Sequence, residues 1–327
     1  MKALVYTGTQ QSEIQHLDAP VAGDSESLVD ISLCGICGFD MHVWHGHDER
    51  RTPPLVLGHE AVGTARTGPL ADRRVAINPL ISCLDCPACH AGDNHLCASR
   101  ELIGMRYPGA FAEQLRIPDG NLTVIDDGLS FEAAALAEPG AVAVRTVRLA
   151  RRAGAVADAR TVILGGGAIG LLCAQIMKAW GFAPPRIAET NPLRRGMLES
   201  PGLGNTYDPR GEHPAESSAD LVIDAVGMGI TRAAASRMVR PGGAVVHVGL
   251  QDSEPGLDTR RITLQEISFI GAYCYREDDF AEALALLTSR KVTGEGWVEI
   301  RPLDDGATSF QDIHDGRATP KIIPAMT

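Results

Sequence analysis

Four cysteines crowd into one short stretch, Cys83, Cys86, Cys89 and Cys97, in the spacing C-x2-C-x2-C-x7-C. Two-residue gaps let neighbouring thiolates converge from a tight loop, and four thiolates close a tetrahedral shell around zinc. A closed shell leaves no position for a substrate, so this metal is expected to be structural. Its binding energy then becomes folding energy for a loop with little core of its own. The competing reading, free or disulfide-forming thiols, suits this spacing poorly. A second set of candidate ligands is dispersed. Cys37 lies in Cys34-Gly35-Ile36-Cys37-Gly38-Phe39-Asp40, His59 and Glu60 in Gly58-His59-Glu60, and Glu138 in Ala137-Glu138-Pro139. None of these is diagnostic alone. An isolated cysteine is usually packing, an isolated histidine is usually satisfied or exposed, and Glu-Pro usually marks a helix edge.

A third pattern concerns phosphate. Gly165, Gly167 and Gly170 form G-x-G-x-x-G in Gly165-Gly166-Gly167-Ala168-Ile169-Gly170. Alone the pattern is weak, but here it follows an apolar run and opens a helix, and Glu189 ends the next strand where a dinucleotide fingerprint places an acid. The first glycine makes the turn and the second lets backbone N–H groups reach a pyrophosphate. The third lets helix pack on strand, and the helix N-terminus favours the anion. Ala168 and Ile169 lie within this turn. Glu189 is expected to accept hydrogen bonds from ribose hydroxyls and to repel a 2′-phosphate, which favours NAD over NADP. Arg194 and Arg195 stand close enough in sequence to soften that preference.

These groups need two kinds of scaffold. Up to about residue 135 the chain alternates turn signals with short β-type runs such as Ser27 to Leu33, Glu60 to Thr64 and Arg74 to Ile77, which predicts a β-rich domain. Phe131 to Ala150 is Ala-rich and reads as helical pieces interrupted by Pro139. From Arg160 onward the pattern is strand, glycine turn, helix, strand. Strands are expected at Thr161 to Leu164, Pro185 to Glu189, Asp220 to Val226, Gly243 to Val248 and Ile267 to Gly271, with helices at Ala168 to Trp180 and Phe280 to Ser289. Alternation of this kind predicts an α/β fold with a doubly wound parallel (Rossmann) sheet. The length of 327 residues suits about two domains. The net charge of −11, with no basic stripe, argues against nucleic acid or an anionic membrane as partner. No run approaches the ~20 apolar residues needed to span a bilayer, and Met-Lys-Ala-Leu-Val-Tyr lacks a signal-peptide core, so a cytoplasmic protein is expected.

Taken together, the Gly-Ile-Cys-Gly-x-Asp segment, Gly-His-Glu, the four cysteines, Gly109-Ala110-Phe111-Ala112-Glu113, Ala137-Glu138-Pro139 and the glycine fingerprint resemble the zinc-containing medium-chain dehydrogenase/reductase family over nearly the whole chain. The Glu-Pro form is similar to the sorbitol, threonine and glucose dehydrogenase branch. The resemblance implies that Cys37 and His59 bind a catalytic zinc, that Glu60 joins it directly or through water, and that Glu138 takes a further ligand position where alcohol dehydrogenase has its second cysteine. It implies a GroES-like zinc-binding catalytic domain at 1–141, a Rossmann NAD-binding domain at 142–273, and a C-terminal segment at 274–327 that returns to the first. It also implies a homo-oligomer, dimer or tetramer, and a small alcohol or polyol as substrate. Lys321 matches a family lysine near the C-terminus, with no role assigned to it here.

The chemistry implied is hydride transfer from an alcohol carbon to NAD, with a Lewis-acid metal polarising the alcohol oxygen. Two departures stand out. The family usually begins its proton relay with Ser or Thr two residues after the first ligand, and this chain has Phe39, which carries no proton. Either Glu60 and water take over, or His42, His45 or His47 act through water, or those three histidines form a plain solvated surface. Phe39, Trp44, Tyr107 and Tyr273 are candidates for the substrate pocket. The chain is also compact around residues 68–74 and 202–209 relative to the family. The leading expectation is a zinc-dependent, NAD-linked dehydrogenase of secondary alcohols, polyols or sugars. A cyclitol or amino-alcohol dehydrogenase and a catalytically silent NAD- and zinc-binding protein remain as alternatives.

Overall fold

The computed structural model describes residues 1–48, 50–199 and 203–326. The chain divides into two compact units, Met1–Glu138 with Arg276–Thr327, and Pro139–Tyr275.

In the first unit the strand Glu26–Gly35 is the hub. Ser27, Val29, Ile31 and Leu33 alternate inward along it, the period-2 burial of a half-covered strand. It pairs antiparallel with Glu60–Ala65, with Gln114–Pro118 and, at Leu33, with Lys321–Ala325. The resulting seven-stranded sheet also takes in Arg74–Ile77, Leu122–Val124 and Val298–Pro302. A three-stranded sheet of Gln11–His16, Lys2–Gly8 and Leu55–Val56 lies in the same unit. Phe111, Phe310 and Trp44 anchor the core, each buried aromatic contributing about 2–3 kcal/mol. The last strand of the chain thus belongs to the sheet of the hub, and its opening residue, Lys321, arrives beside the Gly35 end of the hub.

The second unit is a six-stranded, wholly parallel sheet in the order Asn205–Tyr207, Arg186–Ala188, Thr161–Leu164, Ala219–Asp224, Val239–His247 and Ser268–Gly271. The strand order reverses between Thr161–Leu164 and Ala219–Asp224, and such a switch point binds ligands at the carboxyl ends of its strands. Five of these strands coincide with the sequence expectation to within a few residues. Asn205–Tyr207 does not appear in it, because three residues are too few to show a period and only pairing with Arg186–Ala188 makes them a strand. Of the stretch expected to be compact, Gly202 lies outside the described residues.

Pro139 does not interrupt a helix. It sits in the first turn of Ala137–Arg152, where the missing N–H has no intrahelical acceptor to lose. Among the described residues, no helix is long and apolar enough to cross a membrane.

Candidate active site

Cys37 is placed at the end of the hub strand. Ile36 N donates to Ile322 O at 3.0 Å, and Cys37 then caps the short helix Gly38–Trp44, its Sγ accepting from Phe39 N at 3.4 Å. Asp40, fully buried, closes the turn by accepting from Cys37 N at 3.0 Å and from Gly58 N at 3.4 Å. That second contact brings the Gly58-His59-Glu60 segment to the cysteine. Asp40 Oδ1 also lies 3.4 Å from His59 Nδ1, an arrangement that turns the other ring nitrogen toward a metal.

The ligand atoms of Cys37, His59 and Glu60 lie within 4.8 Å of one another. His59 Nδ1 is buried without a hydrogen bond, and Lys321, 2% exposed, forms an ion pair with Glu60 Oε2 while donating to Ile36 O at 2.8 Å. Two borderline or soft donors and a carboxylate converging in a buried site fit zinc, whose bonds to such ligands are about 2.0–2.3 Å.

Electrostatics follow from this crowding. Burial pushes the Cys37 thiol up, against the pull of His59. Burial alone would lower His59, but the Asp40 carboxylate and Cys37 together hold it well above the ordinary imidazole range. Burial likewise disfavours the Lys321 ammonium, and the charges of Glu60 and Cys37 overcome it and raise its pKa.

The cysteine loop has another character. Sγ separations are 3.4 Å for Cys97–Cys83, 3.5 Å for Cys86–Cys89 and 3.9 Å for Cys83–Cys89, and no disulfide forms among them. Four sulfurs around one zinc at ~2.3 Å stand about 3.8 Å apart, so the set fits a tetrahedral ion. The backbone N–H of Asp85, with Cys97, holds the Cys83 thiol down to about 7, which favours the ligating thiolate.

In the second unit, Gly165 has φ +100° and Gly167 caps the helix Ala168–Ala179. A Cβ on Gly170 would stand 1.9 Å from Gly165 O, so helix and turn approach as closely as only glycine permits. Glu189 is locked at the end of Arg186–Ala188, accepting from Gly166 N at 3.0 Å and from Asn191 N at 2.8 Å. The Arg194 Nε is buried with no hydrogen-bond partner among the described residues, while Arg195 is engaged with Glu189 O and Asp208.

Comparison with known proteins agrees with this architecture. The family profile described as "Alcohol dehydrogenase GroES-like domain" matches residues 23–127, and "Zinc-binding dehydrogenase" matches residues 168–289. The chain is 33% identical to an L-galactonate-5-dehydrogenase of Escherichia coli, across 90% of this chain and 89% of that protein. It is 30% identical to a 2-dehydro-3-deoxy-L-galactonate 5-dehydrogenase of Pseudoalteromonas atlantica, across 96% and 95%. The chain belongs to the zinc-containing medium-chain dehydrogenase/reductase family. The alcohol dehydrogenase of Thermus sp. ATN1 superposes with a TM-score of 0.89 at 25% identity, covering 99% of each chain. This family member is thus an oxidoreductase with zinc and a nicotinamide dinucleotide as cofactors, a GroES-like first unit and a Rossmann second unit.

Of the residues named from the sequence, Cys37, His59 and Glu60 come together, as do the four loop cysteines. Glu138 is buried near enough to Lys321 to raise its pKa, yet its carboxylate lies outside the close donor group. Trp44 is 2% exposed and stacked on Phe310 at 5.9 Å, within the core of the first unit. Tyr107 is half-buried against the same core, and Tyr273 is exposed beyond Ser268–Gly271. Phe39 is half-buried, with the Arg51 guanidinium carbon 4.3 Å from its ring centroid.

Four residues carry more than the sequence suggested. Asp40 orients both Cys37 and His59, Lys321 faces Glu60, and Arg51 lies beside Asp40. Asp224 ends a central strand of the second unit and accepts from Val226 N, Gly227 N and the Thr231 hydroxyl. Asp40 was visible as a motif position. Arg51 sits in a charged run with nothing to single it out.

Proposed function

We propose that this enzyme oxidises a secondary hydroxyl of a polyol or sugar derivative with NAD, using Cys37, His59 and Glu60, with Glu138 nearby, as the ligand set of the catalytic zinc. The observation that carries the reading is the convergence of three donors with a buried lysine opposite one of them. Zinc, when bound there, supplies a Lewis acid that favours loss of the hydroxyl proton. The chain's own part is positional. Asp40 fixes Cys37 and His59, and Lys321 neutralises the second carboxylate oxygen of Glu60, so that Glu60 divides its charge between two cations. On the nucleotide side the Gly165–Gly170 turn presents N–H groups to the pyrophosphate, and Glu189 faces the ribose hydroxyls, which favours NAD over NADP. The names of the relatives support a polyhydroxylated substrate; besides the two galactonate enzymes, one is a probable D-xylulose reductase A of Neosartorya fischeri, 30% identical across 99% of this chain and 96% of that one.

Phe39 removes the usual first proton carrier. His42 lies next to it, with ring centroids 6.3 Å apart, and His47 follows at 5.2 Å toward the exposed surface. We assign the proton route to water working with His42 and His47. The same reading includes a cytoplasmic homo-oligomer, which sedimentation of the purified protein and cell fractionation test.

The deciding experiment follows NADH absorbance with a panel of polyols, sugar acids, cyclitols and secondary alcohols, before chelation, after it, and after return of zinc. Turnover that vanishes and returns with the metal supports the proposal. Absence of turnover in either direction, despite bound zinc and NAD, would sink it and leave the silent binding protein that Phe39 favours.

A further inference from the structure

Arg51 is 2% exposed, and its Nε, Nη1 and Nη2 have no hydrogen-bond partner among the described residues. A buried guanidinium with its donors unused costs several kcal/mol, so something else has to satisfy it. The two nearest carboxylates do not. Asp40 Oδ1 is 3.9 Å from Nη1 and Asp48 Oδ2 is 3.8 Å from Nε, both beyond hydrogen-bond range. Both are also committed elsewhere. Asp48 accepts a two-pronged pair from Arg50 Nε and Nη2, each at 2.8 Å, and Asp40 serves Cys37 N and Gly58 N and faces His59. They offset the charge of Arg51 and leave its N–H groups free.

The guanidinium carbon also lies over the Phe39 ring, 4.3 Å from its centroid. Stacking uses the face of a guanidinium, whereas its N–H bonds lie in the plane. Phe39 therefore fixes the orientation of the fork without occupying any donor. Phe39 is two residues from Cys37, and Asp40 Oδ1 has Arg51 on one side and His59 on the other. The fork is held beside the ligand set, in the same unit.

We propose that Arg51 binds the carboxylate of an anionic polyol, a sugar acid, and so sets which carbon of the chain is presented to Cys37, His59 and Glu60. A planar carboxylate matches two parallel guanidinium N–H groups, which gives register as well as affinity. Phe39, standing where the family has its relay hydroxyl, is the platform on which this arginine is laid. The proposal rests on the dehydrogenase reading above and narrows its substrate class.

The test compares aldonates with the alditols of the same carbon skeleton, D-gluconate with D-sorbitol and L-galactonate with galactitol, and adds galactitol 1-phosphate. The enzyme is zinc-loaded and saturated with NAD, in wild-type form and as Arg51→Lys and Arg51→Met. The wild type is expected to prefer an aldonate. Arg51→Met lowers the aldonate-to-alditol ratio of kcat/KM at least ~30-fold, mainly through KM, as expected for losing a buried charge-assisted pair. Arg51→Lys, which keeps the charge and loses the fork, falls between and guards against a folding artefact in the methionine variant. Equal losses on aldonate and alditol, no loss, or Arg51 dependence confined to the phosphate ester would each overturn the proposal. If no substrate turns over, the dehydrogenase reading fails separately. Calorimetric binding of the two aldonates to wild type and Arg51→Met then decides the anion site: binding lost in the variant upholds it, and equal or absent binding in both overturns it.

Discussion

The first unit carries two groups of candidate zinc ligands built on opposite principles. In the cysteine loop the ligands sit on irregular backbone with almost no core: Cys83 is exposed, and the short helix Pro87–His90 buries no residue. At Cys37, His59 and Glu60 the ligands are tethered before any ion arrives, by the end of a ten-residue strand, by Asp40 and by a lysine from the far end of the chain. The contrast predicts that a metal in the loop would organise the chain, whereas in the buried site the chain would organise the metal.

The largest effect is therefore expected in the loop. Replacing Cys97, the one fully buried cysteine of the four, by serine breaks a site whose whole binding energy, about 10 kcal/mol, the loop would depend on to fold. Limited proteolysis should then cut within residues 83–97 while the parallel sheet of the second unit stays protected from hydrogen exchange. A loop that remains protease-resistant in Cys97→Ser would reverse the comparison.

Cys37→Ser makes the complementary case. Serine caps a helix at least as well as cysteine, so the Gly38–Trp44 turn survives, but the soft ligand is gone. Turnover is expected to fall at least ~1,000-fold, the scale of losing Lewis-acid stabilisation, with the melting temperature nearly unchanged. Unfolding comparable to that of the loop variant would mean that the buried site, too, is held together by its ion.

The two constellations also differ in how they could be read. The loop is legible from spacing because its ligands are close in sequence and need no fold to meet. Cys37 and His59 are separated by the helix Gly38–Trp44, a loop and the strand Leu55–Val56, so only their resemblance to a family pattern joined them. Lys321 could not be connected to Glu60 without knowing that Lys321–Ala325 pairs into the sheet of Glu26–Gly35. The Rossmann half was legible for a related reason: buried parallel strands and the glycine turn are local patterns. Asn205–Tyr207 was not, being a strand only by virtue of its neighbour. Trp44, a candidate for the pocket, packs beside Phe310, a partner that lies far away in sequence and that no local pattern reveals.

Lys321 tests how far protein contacts substitute for metal. Lys321→Met removes the ion-pair partner of the buried Glu60 carboxylate, and breaking such a pair costs about 3 kcal/mol in the metal-free protein. Zinc at Cys37 and His59 would take over part of that compensation. The destabilisation seen by denaturant unfolding should accordingly be clearly larger after chelation than in the zinc-loaded enzyme. Equal losses in both states would show that Glu60 does not divide its charge between lysine and metal.

The smallest effect concerns the contacts that hold the cysteine loop from outside. Arg276 donates from Nε to Asp93 at 2.8 Å and from Nη2 to Ala91 O at 2.7 Å, tying the loop to the start of Glu277–Thr288. Both partners are part-exposed, and ion pairs of that kind contribute roughly 0–1 kcal/mol and weaken with salt. Arg276→Ala should therefore leave zinc content at the loop intact and lower stability by less than ~1 kcal/mol, with the difference shrinking further at high salt. If the variant instead loses the loop zinc, the ion is not the organiser. The loop would then be a folded element resting on Arg276, and the contrast with the buried site would be one of exposure alone.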